Sequence, residues 1–264
     1  MKFLKSTVLF ICTLALFSSC KNEKKKENVE TEKVETSAIT IEKLTDSPAY
    51  ENAVLRLKEP TDTKNLKEGP LDFKFEVANY ELGAQTDSPN ASLLANSGKG
   101  QHIHFILNNQ PYSAHYDPNF TKELPAGVHH LVAFLSRSYH ESVKNDNSVV
   151  VKKVEVGTNP KDTVGIDAEA PTLIYSRPKG TYSGKDTESL MLDFFVLNTT
   201  LSETGNKVKA TINGKEFLIT EWAPQVIKGL PKGEVTIELE LIDAEGNFID
   251  GTFNKVKRTI TLKE

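Results

Sequence analysis

Six histidines are the residues of this 264-residue chain best suited to chemistry, and all of them, His102, His104, His115, His129, His130 and His140, fall in one stretch. A neutral imidazole offers a lone pair to a transition metal, or exchanges a proton near neutral pH. His102 and His104 stand two residues apart. On a β-strand that spacing puts both rings on one face about 7 Å apart. Metal chemistry is therefore the first reading, with copper or zinc expected over the oxygen-seeking calcium and magnesium.

Other chemistry finds little support. The 2 cysteines, Cys12 and Cys20, are too few for a disulfide framework or a thiolate zinc site. No glycine-rich phosphate loop, G-x-S-x-G elbow or H-E-x-x-H helix occurs. Ser136, Ser138, His140 and Asp117 assemble into a triad only on paper, because no spacing ties a nucleophile to a base, so no enzyme is expected. Trp222 reads as a core residue or as an aromatic platform for sugar. A net charge of -4 and a sequence pI ≈ 5.9 argue against nucleic acid as a partner.

The elements that must position the histidines read as β-strands. Short apolar runs, alternating or continuous, are separated by Gly, Pro, Asn and Asp, with no helical stripe. They also repeat. Leu71, Phe73, Phe75 and Val77 lead to Asn79 as Leu190, Leu192, Phe194 and Val196 lead to Asn198. The strand from His102 to Leu107 matches Lys207 to Ile212, and Leu124-Pro125-Ala126-Gly127 matches Leu230-Pro231-Lys232-Gly233. The expected fold is all-β, two tandem Ig-like antiparallel β-sandwiches over 50–157 and 171–264, joined by a linker at 158–170. The first copy has a longer polar loop between Leu82 and His102, of the kind that often lines a site.

The second copy acts as a control on the histidines. It carries Lys207, Lys209, Thr220, Val235, Thr236 and Gly246 where the first has His102, His104, His115, His129, His130 and His140. The sandwich forms without them. Phase transferred from the second copy turns Ile103, Phe105 and Leu107 toward the core and His102, His104 and His130 outward. His129 takes the place of a core valine and is expected as a buried, hydrogen-bonded imidazole. His115 and His140 fall at strand ends or loops, where they close a metal site or stay solvated. The expected ligand set is His102, His104 and His130 with His115 and His140 in support. Val132 and Phe134 replace Glu238 and Glu240 on the same outer face, which therefore wants a cover. A protein, phosphopeptide or glycan partner docking there is the alternative function.

The amino terminus gives an address. Lys2 and Lys5, an apolar stretch from Val8 to Phe17, and Ser18-Ser19-Cys20 follow the order of an export signal. Leu16-Phe17-Ser18-Ser19-Cys20 resembles a bacterial lipobox, which implies a signal peptide at 1–19, acyl chains on Cys20 and a membrane partner for the anchor. Residues 20–49, polar and charged, read as a flexible tether of roughly 30 Å reach. The expected location is the cell envelope, anchored by lipid to the outer membrane on its periplasmic or external side. Asp162-Thr163-Val164 resembles a Bacteroidetes O-glycosylation site.

From about residue 53 to 156, the Gly100-Gln101-His102-Ile103-His104 strand, the Leu124-Pro125-Ala126-Gly127-Val128-His129-His130 strand and the later Tyr139-His140 together resemble an uncharacterised histidine-bearing Ig-like domain family of exported bacterial proteins. The resemblance implies the sandwich fold and a shared histidine site, with His129 included, and no reaction. The two-domain chain is also similar to flavobacterial lipoproteins that go by the name phosphopeptide-binding. No arginine cluster suited to phosphate is visible in the sequence.

Overall fold

The computed structural model describes residues 38–264. The signal segment, Cys20 and the tether up to residue 37 lie outside the described residues.

The described chain is all-β. The first sandwich contains β2 (Val54–Glu59), β3 (Gly69–Ala78), β4 (His102–Leu107), β5 (Ser113–His115), β6 (Asn119–Leu124), β7 (Gly127–Ser136) and β8 (Val149–Val156), after an N-terminal β1 (Thr40–Lys43) that belongs to the second. The second continues with β9 (Thr172–Arg177), β10 (Thr181–Tyr182), β11 (Leu190–Leu197), β12 (Lys207–Ile212), β13 (Lys215–Ile219), β14 (Gln225–Lys228), β15 (Gly233–Ile242) and β16 (Lys255–Leu262). In the first, a sheet ordered β2-β3-β6 faces one ordered β5-β4-β7-β8; in the second, β1-β14-β11-β9 faces β10-β16-β15-β12-β13. This is an Ig-like architecture built twice.

Each core is made of the inward set of alternating strands. Phe73, Ile103, Leu131, Ala133 and Leu135 are fully buried in one, and Leu192, Val208, Ala210, Ile212 and Ile237 in the other. The expected phase on β4 and β7 is therefore the observed one. Asn213 and Gly214 both adopt positive φ, 47° and 84°, which turns β12 tightly into β13.

Two expectations are corrected. The tether does not extend to residue 49, because Thr40–Lys43 pairs antiparallel with β14 and Leu44 is buried. Ile39 and Ile41 alternate at strand spacing and pack on the second core, a signal hidden inside a polar composition. Nor is the outer face of β4 and β7 free for an external partner. Both sandwiches fall in one compact unit, and Ile106, Tyr112, Val132 and Phe134 are buried against Ile174 and Phe195 of the second sandwich. Phe134 stacks on Phe195 with centroids 4.8 Å apart. Burial of each such aromatic stabilises the contact by roughly 1.5–3 kcal/mol. The cover that this face requires is the protein's own second domain, whose β11 is apolar on both sides, Met191 and Phe195 opposing Leu192 and Phe194.

Candidate metal centre

The interdomain contact closes over β4. His102 and His104 project from the outer face of that strand and are completely buried. Their rings tilt together until the centroids are 4.8 Å apart and the two Nε2 atoms 2.9 Å apart. The third member comes from the turn between β7 and β8. His140 Nδ1 lies 3.1 Å from His102 Nε2, and one ligand nitrogen of each of His102, His104 and His140 lies within 4.8 Å of the others. His140 holds a φ of 71°, while its counterpart Gly246 holds 89°. A side chain in that backbone region costs about 1–2 kcal/mol, so the first copy keeps a strained histidine where the second uses the residue best suited to the turn.

Groups behind the rings orient them. Nδ1 of His102 lies 2.9 Å from the Gly100 carbonyl, which only an N–H satisfies, so Nε2 is a bare lone pair. Gly100 is required there: with φ 83°, a Cβ on it would lie 2.2 Å from the Gly83 carbonyl oxygen. Nδ1 of His104 is 3.2 Å from Ser176 Oγ, a hydroxyl of the second sandwich. Tyr112 stacks on His104 at 3.5 Å, and its hydroxyl is 3.3 Å from His140 Nδ1. The partners of the two Nδ1 atoms on His102 and His104 are of the kind that fix the tautomer and orientation of metal-binding imidazoles, whereas the Tyr112 hydroxyl meets the His140 nitrogen that itself faces the trio.

The environment keeps the rings neutral. Burial, reinforced by Arg177 and Lys179, pushes His102 down to about 4 against the pull of the Gly100 carbonyl. Burial and the neighbouring rings hold His104 well below the ordinary imidazole range, and burial with Arg177 does the same to His140. No second proton then competes for the rings at neutral pH. The one ring hydrogen between the bare His102 Nε2 and His104 Nε2 sits on His104, and metal binding moves it to Nδ1, beside Ser176 Oγ. Tetrahedral zinc with 2.0–2.1 Å bonds sets ligand nitrogens about 3.3 Å apart. The 2.9 and 3.1 Å separations are a few tenths short of that and the widest separation, up to 4.8 Å, exceeds it, so the two short pairs open and the wide one closes when an ion enters.

The trio differs from the expected ligand set. His130 is on the same outer face, but β4–β7 register puts Phe134 opposite His104, leaving His130 about 13 Å further along β7. Its ring stacks on Phe253 and faces a cleft with Gly165, Asp167 and Asp250, and its Nδ1 has no partner. His115 pairs with Ile103 and so shares the inner face; it stacks on Phe120 at 3.4 Å, and its Nε2 meets Ser113 Oγ at 2.8 Å. Neither joins the metal centre. His129 is buried, with Nε2 2.9 Å from the Pro125 carbonyl and Nδ1 3.2 Å from the Asn108 amide, as the valine in the second copy suggests. Trp222 belongs to the core, its indole N–H donating to the Phe194 carbonyl and its ring edge-on to Phe195. Ser176, Arg177 and Lys179 escape sequence reasoning because they come from the other domain.

No family model and no curated protein matches this sequence. Among solved structures, the chain is similar to the fibronectin(III)-like modules of Clostridium thermocellum CbhA, at 14% identity over 80% of this chain and 94% of that one, with a TM-score of 0.28. It is also similar to the Bacteroides ovatus mixed-linkage glucan utilization locus protein SGBP-B, at 13% identity over 79% of this chain and 47% of that one, with a TM-score of 0.21. That structure holds a mixed-linkage heptasaccharide.

Proposed function

We propose that the chain is a non-catalytic, lipid-anchored binding protein of the cell envelope whose first sandwich holds a copper or zinc ion. The ligands are His102, His104 and His140. The observation that carries this reading is the convergence of three neutral imidazoles, with nitrogens 2.9 and 3.1 Å apart, in a buried cluster that Ser176 of the second domain touches. One His102 lone pair faces two neighbouring nitrogens, and a metal ion gives all three a common partner. Copper(II) stands above zinc in affinity for such nitrogen ligands. The lipid anchor is assigned to Cys20 from its sequence context.

Calorimetric titration of untagged, metal-free protein with Cu(II) and Zn(II) tests the site. One ion per chain is expected, with binding lost in His102→Ala/His104→Ala and unchanged in His115→Ala. Equal binding by the double variant would sink the assignment. Metabolic labelling with a radioactive fatty acid, present in the wild type and absent in Cys20→Ser, tests the anchor.

A further inference from the structure

We propose that Arg177 and Lys179 form a carboxylate-binding site at the edge of the histidine trio, one carboxylate oxygen meeting the guanidinium and the other filling the metal's remaining position. The bridging half rests on the metal reading above; the cationic pair stands without it.

Arg177 ends β9, one residue beyond the serine that contacts His104. Its side chain is buried, one terminal nitrogen donates to the Tyr182 hydroxyl at 2.8 Å, and its Nε has no partner. No carboxylate among the described residues pairs with it or with Lys179. Buried guanidinium groups ordinarily have such a partner. Lys179 Nζ lies 3.7 Å from the centroid of the Tyr112 ring and donates to the Tyr112 carbonyl at 2.7 Å. Burial, with Arg177 beside it, brings this ammonium down to about 8. Tyr112 links the two halves of the site, because its ring also stacks on His104 and its hydroxyl reaches toward His140.

The charges that act on His104 and His140 from outside the trio, Arg177 and Lys179, are both positive. Three neutral imidazoles do nothing to offset a divalent ion. An occupied centre therefore gathers positive charge from three sources and lacks both an anion and a fourth ligand. A carboxylate meets both needs with two oxygens, and its planar geometry suits the free edge of an arginine better than a point anion. His140, Tyr116 and Lys179 are only partly buried and mark the way in.

The test is titration of acetate, and separately of inorganic phosphate, into metal-free and Cu(II)-loaded protein, read by calorimetry and by broadening of the anion's carbon or phosphorus resonance. One acetate per chain is expected, bound at least tenfold more tightly by the copper-loaded form. Arg177→Gln and the half-exposed Lys179→Gln should each weaken it about tenfold, and Arg177→Lys should restore part of the loss. Near-UV circular dichroism and copper stoichiometry report whether each variant keeps its fold. The proposal is overturned if acetate binds neither form, if both glutamine variants bind it as well as the wild type does, or if phosphate binds and acetate does not. Acetate uptake by metal-free protein that depends on Arg177, with no uptake of copper, would support the anion site and overturn the metal reading.

Discussion

The two sandwiches place the same strands in the same register and use the outer face of one sheet in opposite ways. In the first, His104 lies opposite Phe134 on β4 and β7; in the second, Lys209 lies opposite Glu240 on β12 and β15 and forms a 2.6 Å ion pair in which Lys209 is partly exposed and Glu240 is covered by its lysine partners. The other sheets reverse the pattern. β3 turns Asp72, Lys74 and Glu76 away from its core, whereas β11 turns Met191, Asp193 and Phe195 away from its own, onto the first domain. The lesson is that the inward residues, shared by both copies, make the fold, while the outward residues decide which faces meet. The histidine centre exists only where two such faces meet.

Exchanging the paired residues should break this comparison most strongly. Phe134→Glu puts an unpaired carboxylate into the interdomain core, and unfolding in urea should show a loss on the order of 3–5 kcal/mol. Glu240→Phe, which removes the ion pairs to Lys209 and Lys255 on the corresponding face, should cost about 1–2 kcal/mol. Similar losses for the two would contradict the roles assigned to the faces.

Acid should come next. The depressed histidines stay neutral in the folded protein while the unfolded chain protonates near 6.5, so stability falls as pH drops from there toward 4. His102 alone accounts for something on the order of 3 kcal/mol across that interval, and above pH 7 it contributes no slope. Urea midpoints of metal-free protein between pH 7.5 and 4.5 measure this. In His102→Gln the slope should be shallower.

Smaller effects sharpen the boundary between the domains. Ser176→Ala alters no proposed ligand, yet it removes the oxygen behind His104 and should weaken metal binding about tenfold. An unchanged affinity would mean that the second domain only roofs the site. His140→Gly copies Gly246 of the duplicate. It should abolish tight metal binding while gaining up to about 1 kcal/mol of fold stability from the relieved backbone, as read by thermal unfolding.

Much of the fold was legible because β-structure writes its phase into alternation. Ile103, Phe105, Leu131 and Leu135 point inward as their spacing requires, and the comparison of copies separated His129 from its neighbours. The site was only partly legible. His102 and His104 share a strand, and a period of two suffices to put them together. His130 has the right face and the wrong height, because a position along β7 depends on cross-strand register. His140 joins the site through the closure of a turn. The near-continuous apolar run of β11 is a sign in the sequence that both of its faces are covered, and the structure shows its outer face covering Val132 and Phe134.

The sequence by itself determined two β-sandwich repeats, the core face of each strand and the confinement of histidine to the first. These follow from local rules, the two-residue pleat and the turn residues, that act over a few positions at a time. Only the tertiary structure decided which three histidines converge, that their neutrality comes from burial, and that Ser176, Arg177 and Lys179 stand beside them. Those outcomes depend on contacts between residues distant in the chain, where register and domain packing bring groups within a few ångströms and exclude the water that would otherwise keep them apart and charged.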